Sequence, residues 1–382
     1  MTGSRLPSLF IPYFPEMKIA IIGSRGIPAR YGGFETFAEH LAKDLVSHGH
    51  EVTVVVSKNH PGLETLDSRI KIIQSAYKKS VHPVWYYWDS LRLTKGKQDI
   101  VLVCGVGGAL FYPMYRSAKT QLVTNVDGLE HLRTKFSRVK KSYVRLAQRL
   151  TRQYSQHIIA DGTGVRDFWT NSLHVPENKI SIIEYGANEP MKFRIEDLAN
   201  YGVAQGGYYL VVARLVPENH IREIVEGYLQ TSTSRKLIVV GGIDNSAYVR
   251  ELLKLQSPNV KFAGAIYDKQ ILDSLRGGAF AYLHGHSVGG TNPSLLEAMI
   301  TGAVCVCHDN MFNREVTANS QLYFTSVPEL ARQLEALEHF SDEKISGYKH
   351  SAIQRVKSYY TWERICSVYR NLFEKIHGRR EN

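Results

Sequence analysis

The sequence predicts an α/β protein of two doubly wound domains facing a cleft. Three observations carry this. Strand-like and helix-like segments alternate through both halves of the 382 residues. The strand-like runs are apolar without alternation, as a parallel sheet covered on both faces requires. A glycine-rich stretch separates the halves, and 382 residues suffice for two full cores.

Taken in order, residues 1–16 read as an N-terminal extension. Its short apolar piece, Leu9 to Phe14, is broken by Pro12, which argues against a signal peptide. Residues 17–185 form the first domain, with strands at Lys18–Gly23, Glu51–Ser57, Ile70–Gln74, Ile100–Cys104, Gln121–Asn125 and His157–Asp161. Phe34, Phe37, Ala38, Leu41 and Leu45 share one face of a helix ending at His48, and Gly49 stops it. Residues 186–207, with Gly186, Gly202, Gly206 and Gly207, read as the linker. Residues 208–358 repeat the topology with strands at Tyr208–Ala213, Lys236–Gly241, Val260–Ala263, Ala279–Leu283 and Ala303–Cys307. Residues 359–382 hold one last helix, predicted over Thr361 to His377.

Composition removes several classes. Charged residues are 22% and hydrophobic residues 43%, and no apolar run approaches the ~20 residues of a membrane span. Four scattered cysteines without a CxxC give neither a disulfide framework nor a zinc site, and Cys305 and Cys307 read as buried thiols. The net charge of +11 is uneven. Residues 1–190 hold 25 Lys/Arg against 16 Asp/Glu, and residues 191–382 hold 22 against 20. The first half therefore expects an anionic partner: nucleic acid, a membrane surface or a phosphorylated substrate.

The first strand opens into GSRGIPARYGGFETF, residues 23–37. A dinucleotide fingerprint would need GxGxxG and a carboxylate after the second strand. Here the glycines do not fit, the second strand runs into Ser57-Lys58, and no GK[ST] follows. Arg25, Arg30 and Tyr31, with Gly32 and Gly33 allowing close backbone approach, read as a ligand loop or as a tight strand–helix turn with surface arginines. Asp127, just past a strand, can orient or deprotonate a hydroxyl, or form an Asx-turn with Gly128. Asp161, at the next strand end, either caps a turn or lines the cleft.

In the second half Arg214 follows a strand in ARLVPEN, where a guanidinium faces the crevice and can grip a diphosphate. Gly241-Gly242 allows another close approach. HGHSVGGTNPSLLEAM, residues 284–299, is a strand end, a glycine turn and a helix start near Pro293. Free N–H groups across Gly290, Thr291, Asn292 and Ser294 would meet an anion. Glu297, one turn on, can accept bonds from two ribose hydroxyls. One strip thus suits both parts of a nucleotide.

These runs resemble retaining glycosyltransferases of family 4, and GSRGIPARYGGFETF with NVDGLE at 125–130 resembles the bacterial rhamnosyltransferase branch. The resemblance implies a GT-B fold, two Rossmann-like domains with the C-terminal helix crossing back onto the first. It implies a nucleotide-sugar donor in the second domain, dTDP-rhamnose or a UDP-sugar, with Arg214 neutralising the leaving diphosphate. It implies an acceptor in the first domain: a sugar on a polyprenyl diphosphate, used in cell-surface polysaccharide synthesis. Two departures from the broad family pattern stand out, Asn219 where many relatives carry Lys and Gly289 where many carry Glu. With no DxD present, transfer is expected to need no metal and no cofactor.

Residues 133–152 carry eight basic residues and no acid, with Phe136, Val139, Tyr143, Leu146 and Leu150 at helical spacing as the packed face. The aromatic cluster His82 to Trp88 is either core or interface. Together they suit peripheral attachment to the inner face of the cytoplasmic membrane. The alternatives are a sugar-nucleotide epimerase of the same fold, which needs an acid that Gly289 does not supply, and a basic nucleic-acid-binding protein, for which no reading module is present. An NAD enzyme is disfavoured by the missing fingerprint.

Overall fold

The computed structural model describes residues 16–30, 32–63, 66–115, 119–128 and 138–378. Two parallel sheets form its frame. The first contains β1 (Lys18–Ile22), β2 (Glu51–Val56), β3 (Lys71–Gln74), β4 (Ile100–Cys104), β5 (Gln121–Asn125), β6 (His157–Ala160) and β7 (Ile180–Ile182) in the order β3-β2-β1-β4-β5-β6-β7. The second contains β8 (Tyr208–Val212), β9 (Lys236–Val240), β10 (Val260–Gly264), β11 (Ala281–His284), β12 (Val304–His308) and β13 (Leu322–Phe324) in the order β10-β9-β8-β11-β12-β13.

In each sheet the strand order reverses once, at β1/β4 and at β8/β11, with Ile19 beside Ile100 and Ala281 beside Tyr209. Such a switch point leaves a crevice at the carboxyl ends of the strands. The loop after β1 and the loops after β8 and β11 are the three long motifs of the sequence. The topology therefore places all of them at crevice mouths.

Burial follows the apolar runs. Ile19 to Ile22, Val101 to Cys104 and Leu237 to Val240 are shielded on both sheet faces. The helix Gly33–Ser47 buries Phe37, Ala38, Leu41 and Leu45. Its partner is the last helix, Trp362–Gly378, which inserts Ile365, Tyr369 and Phe373 into the first domain's core. The predicted crossing back is thus present. The preceding helix, Asp342–Tyr359, instead places Ala352 and Val356 in the second core.

The two crossings lie side by side. The Ala187 N–H donates to the Tyr360 carbonyl at 2.7 Å. Trp362 stacks on His40 with ring centroids 4.4 Å apart, and its indole N–H donates to Asn188 Oδ1 at 2.8 Å.

Three features differ from the sequence reading. The edge strands β7 and β13 are three residues each, too short to give a period. The helix Arg138–Tyr154 buries the expected stripe only in part: Tyr143 and Leu150 pack on the core, but Val139 is 80% and Leu146 47% exposed, while Val144, Ala147 and Thr151 are buried. It lies on the Val106–Phe111 turn, where Tyr143 donates to the Gly107 carbonyl at 2.6 Å; the bare Gly107 and Gly108 make room for Tyr87, whose ring a Cβ would meet at 2.6 and 2.9 Å. Phe136 lies outside the described residues. The aromatic cluster divides. Tyr86 and Tyr87 are buried, donating to the backbone carbonyls of Ser24 (2.7 Å) and Cys104 (2.7 Å), whereas Trp85 faces out. All four cysteines are buried and free.

Candidate active site

A cleft of about 1050 Å³ lies between the two sheets' carboxyl edges. Most of the sequence-derived candidates line it: Arg25, Gly32, Gly33 and Asp127 from the first domain, and Arg214, Gly241, Gly242, Gly290, Thr291, Asn292, Ser294 and Glu297 from the second. Arg30 does not line it; its guanidinium lies against Gly62. Tyr31 lies outside the described residues.

On the second domain's side, Arg214 leaves β8 with an exposed side chain. Its carbonyl accepts from Asn219 Nδ2 at 2.8 Å, which fixes the loop. Among the described residues its guanidinium has no protein partner, so a permanent cation is left facing the cleft. Asn292 caps the helix Pro293–Ile300, its side chain accepting the Ser294 N–H at 3.0 Å, with Pro293 at the first helical position. The Ser294 hydroxyl donates to the Val212 carbonyl at 2.8 Å, tying this helix start to the end of β8. Gly241 serves packing, since a Cβ there would lie 2.3 Å from the Ala213 carbonyl oxygen; Gly242 has open space.

The expected row of free amides is only partly free. The Thr291 N–H and hydroxyl both donate to the Asp161 carbonyl, at 3.2 and 2.6 Å, and Ser294 is capped. The N–H groups of Gly290 and Asn292 remain without a partner among the described residues.

Glu297 is oriented by a residue that sequence reasoning passed over. Arg276, 3% exposed on the helix Lys269–Gly278, donates to Glu297 Oε2 at 2.5 Å and to Asp273 Oδ1 at 3.2 Å. In the sequence Arg276 sits before Gly277-Gly278 and looks like an ordinary helix-end cation.

The first domain brings two cations. Arg25 lines the cleft, its N–H donating to Glu35 Oε1 at 2.7 Å, and Lys79 lines it while its ammonium bonds the Gly23 carbonyl. Lys79 had no motif around it to mark it. Gly33 approaches the second domain, a Cβ there lying 3.6 Å from Pro293 Cγ. Asp127 has a left-handed φ of 57°, and its N–H donates to Asn125 Oδ1 at 3.0 Å, so the Asx-turn here is built by Asn125 and not by Asp127 with Gly128. Its carboxylate still faces the cleft, accepting from the Tyr185 hydroxyl at 3.4 Å. Burial, then the Asp127 charge, pushes the Tyr185 hydroxyl far above its ordinary value, so it stays a donor. Among the described residues no three His, Cys, Asp or Glu side chains converge as a metal-ligand set.

Solved structures share this architecture. Sucrose-phosphate synthase from Thermosynechococcus elongatus superposes with a TM-score of 0.78 at 14% identity, over 95% of this chain and 100% of that one. The fold is GT-B. The HepE protein of Anabaena, in complex with UDP and glucose, gives 0.73 at 16% identity over 94% and 99%. The catalytic domain of starch synthase IV from Arabidopsis thaliana, bound to ADP and acarbose, gives 0.73 at 12% over 95% and 100%. Residues 31–189 match the family described as Glycosyltransferase Family 4. No curated protein matches the chain significantly. Among the described residues no helix is long and apolar enough to cross a membrane.

Proposed function

We propose that the chain is a retaining glycosyltransferase that moves a sugar, L-rhamnose from dTDP-rhamnose, to a sugar carried on a lipid diphosphate. One observation carries the transferase reading: unpartnered Arg214, the free amides of Gly290 and Asn292, and Arg276-held Glu297 converge on one cleft wall, matching a diphosphate and a ribose. The UDP-bearing neighbour and the family match over residues 31–189 agree with it. The choice of rhamnose and dTDP rests on the sequence resemblance.

In this reading the donor's diphosphate leaves toward Arg214 and the two free amides, which stabilise the charge as it builds. The departing phosphate oxygen takes the proton of the acceptor hydroxyl on the same face as the new bond, so configuration is retained. Asp127, held by Asn125 and Tyr185, orients that hydroxyl. Arg25 and Lys79 on the opposite wall suit an acceptor that is itself a diphosphate. The test is the purified protein with a panel of nucleotide-sugars and a short-chain lipid-diphosphate sugar, read by mass and linkage analysis. Turnover of a donor without any acceptor, to an epimer, would replace transfer by epimerisation. Since Arg214 and backbone amides supply the positive charge, activity is expected to survive EDTA and to gain nothing from added magnesium. Loss to EDTA with recovery by magnesium would refute that.

The same reading places the first domain at an anionic membrane surface. Lys140, Arg145, Arg149 and Arg152 are exposed on one helix beside Val139 and Leu146. Trp85, 53% exposed, belongs to the helix Pro83–Thr94, which packs on the same Val106–Phe111 turn. At ~1 kcal/mol per basic residue near such a surface, Lys140→Glu with Lys141→Glu is expected to weaken binding to anionic vesicles by about tenfold or more. Unchanged co-sedimentation would remove the membrane from the proposal.

A further inference from the structure

The two domains meet at Asp161, which follows β6. Its carbonyl receives both donors of Thr291, and its side chain packs on Gly290, where a Cβ would lie 2.0 Å from Oδ1 and 2.3 Å from Cγ. Asp161 is 2% exposed, and Oδ1 is buried without a hydrogen-bond partner. Two residues on, the Thr163 N–H and hydroxyl donate to Glu315 of the helix Met311–Thr317, the hydroxyl at 2.5 Å to Oε1 and the N–H at 2.9 Å to Oε2. Residues 161 and 163 of the first domain thus receive both the donor-side turn and the helix behind it.

We propose that Asp161 is a positioning residue: it is the seat on which the Gly289–Asn292 turn of the second domain is set when the cleft closes. The inference rests on the transferase reading, in which that turn holds the donor diphosphate. It explains why Gly290 carries no side chain, and why Thr291 is spent on the partner domain and not on a ligand.

The seat is also titratable. The groups facing the Asp161 carboxyl are Asp127 after β5, Glu184 and Tyr185 after β7, Glu315 of the second domain and Tyr369 of the last helix. Glu184 has its own partner in Arg364, at 3.6 Å. Burial, followed by the charge of Asp127, raises the carboxyl well above its ordinary value. In the open cleft the group is hydrated and returns toward that ordinary value. Below the ordinary carboxylate range both forms are protonated and closure does not depend on pH. Between the ordinary and the raised value only the closed form keeps the proton, so closure weakens by up to ~tenfold per pH unit as pH rises. Above the raised value the dependence ends. Asp161→Asn keeps the shape and removes the proton.

The experiment uses the full chain at about pH 5 to 9. Small-angle scattering reads closure with and without UDP or dTDP, and calorimetry reads nucleotide affinity. The native chain is expected to expand and to bind nucleotide more weakly as pH rises; Asp161→Asn is expected to stay compact with a flat profile. Gly290→Ala, folded by circular dichroism, is expected to stay expanded at every pH. Adding Asp161→Ala to it makes room for the methyl group and restores compaction. If Asp161→Asn follows the native pH profile, or Gly290→Ala closes like the native chain, the inference is overturned. Nucleotide binding with pH-independent closure sinks this inference alone, whereas the expected closure without any nucleotide binding sinks the transferase reading.

Discussion

Arg214→Ala is expected to lower kcat/KM by roughly 10²–10³, about 2.7–4 kcal/mol of barrier, while leaving the melting temperature where it was. The two halves of the expectation come from one geometry. The side chain is exposed, among the described residues it bonds nothing in the protein, and it points into the cleft. Removing it therefore strands no buried group, and surface substitutions of that kind stay within about 0.5 kcal/mol. The loop that carries it is held through main chain, by Asn219 on the Arg214 carbonyl, and survives the substitution. Arg214→Lys restores charge without the two-pronged fork, so it is expected to recover only part of the loss. Steady-state kinetics with a saturating acceptor, beside thermal unfolding, checks both. A kcat/KM within threefold of the native value would mean that the diphosphate lies elsewhere.

How far the residues alone reach is clear from particular cases. The buried strands are legible because a parallel sheet covered on both faces demands unbroken apolar runs, and Ile100–Cys104 or Lys236–Val240 can hardly be anything else. Gly290 and Glu297 are legible because a helix N-terminus preceded by glycines is a local device, written in consecutive residues. Arg276 is not, because its meaning depends on Glu297, 21 positions away on another helix. Lys79 and Tyr185 fail for the same reason: each acquires its place by reaching across to a strand end that the chain visits elsewhere. The helix Arg138–Tyr154 shows a different limit. Its large apolar residues advertise a stripe, but the docked face is rotated from it: Val144 and Ala147 enter the core with Tyr143 and Leu150 packed beside them, while Val139 and Leu146 stay exposed. Hydrophobicity told which residues could be buried; how the helix docks decided which were.

The distant pairing of Arg276 also has the larger consequence for stability. Arg276→Leu removes a guanidinium that is 3% exposed and bridges two helices, Asp273 on one and Glu297 on the other. Breaking a buried ion pair from one side costs roughly 3–5 kcal/mol, because the abandoned charge stays where it cannot hydrate. Here the lower end is expected, ~3 kcal/mol. Asp273 keeps the Met191 N–H at 3.0 Å and the Lys269 ammonium, and Glu297, 34% exposed, can turn to water. That turning is the functional half of the expectation. A carboxylate free to swing no longer presents fixed acceptors to two ribose hydroxyls, so UDP or dTDP affinity is expected to fall by about tenfold, the ~1.4 kcal/mol of one lost charge-assisted bond. Denaturant unfolding reads the first number and calorimetry the second. Glu297→Gln separates the two roles: it abolishes the carboxylate with little loss of packing, so nucleotide binding should fall while stability changes less than in Arg276→Leu. A variant at Arg276 that loses stability yet binds nucleotide as the native chain does would make the arginine a core residue only, and would leave Glu297 without a reason to stand where it does.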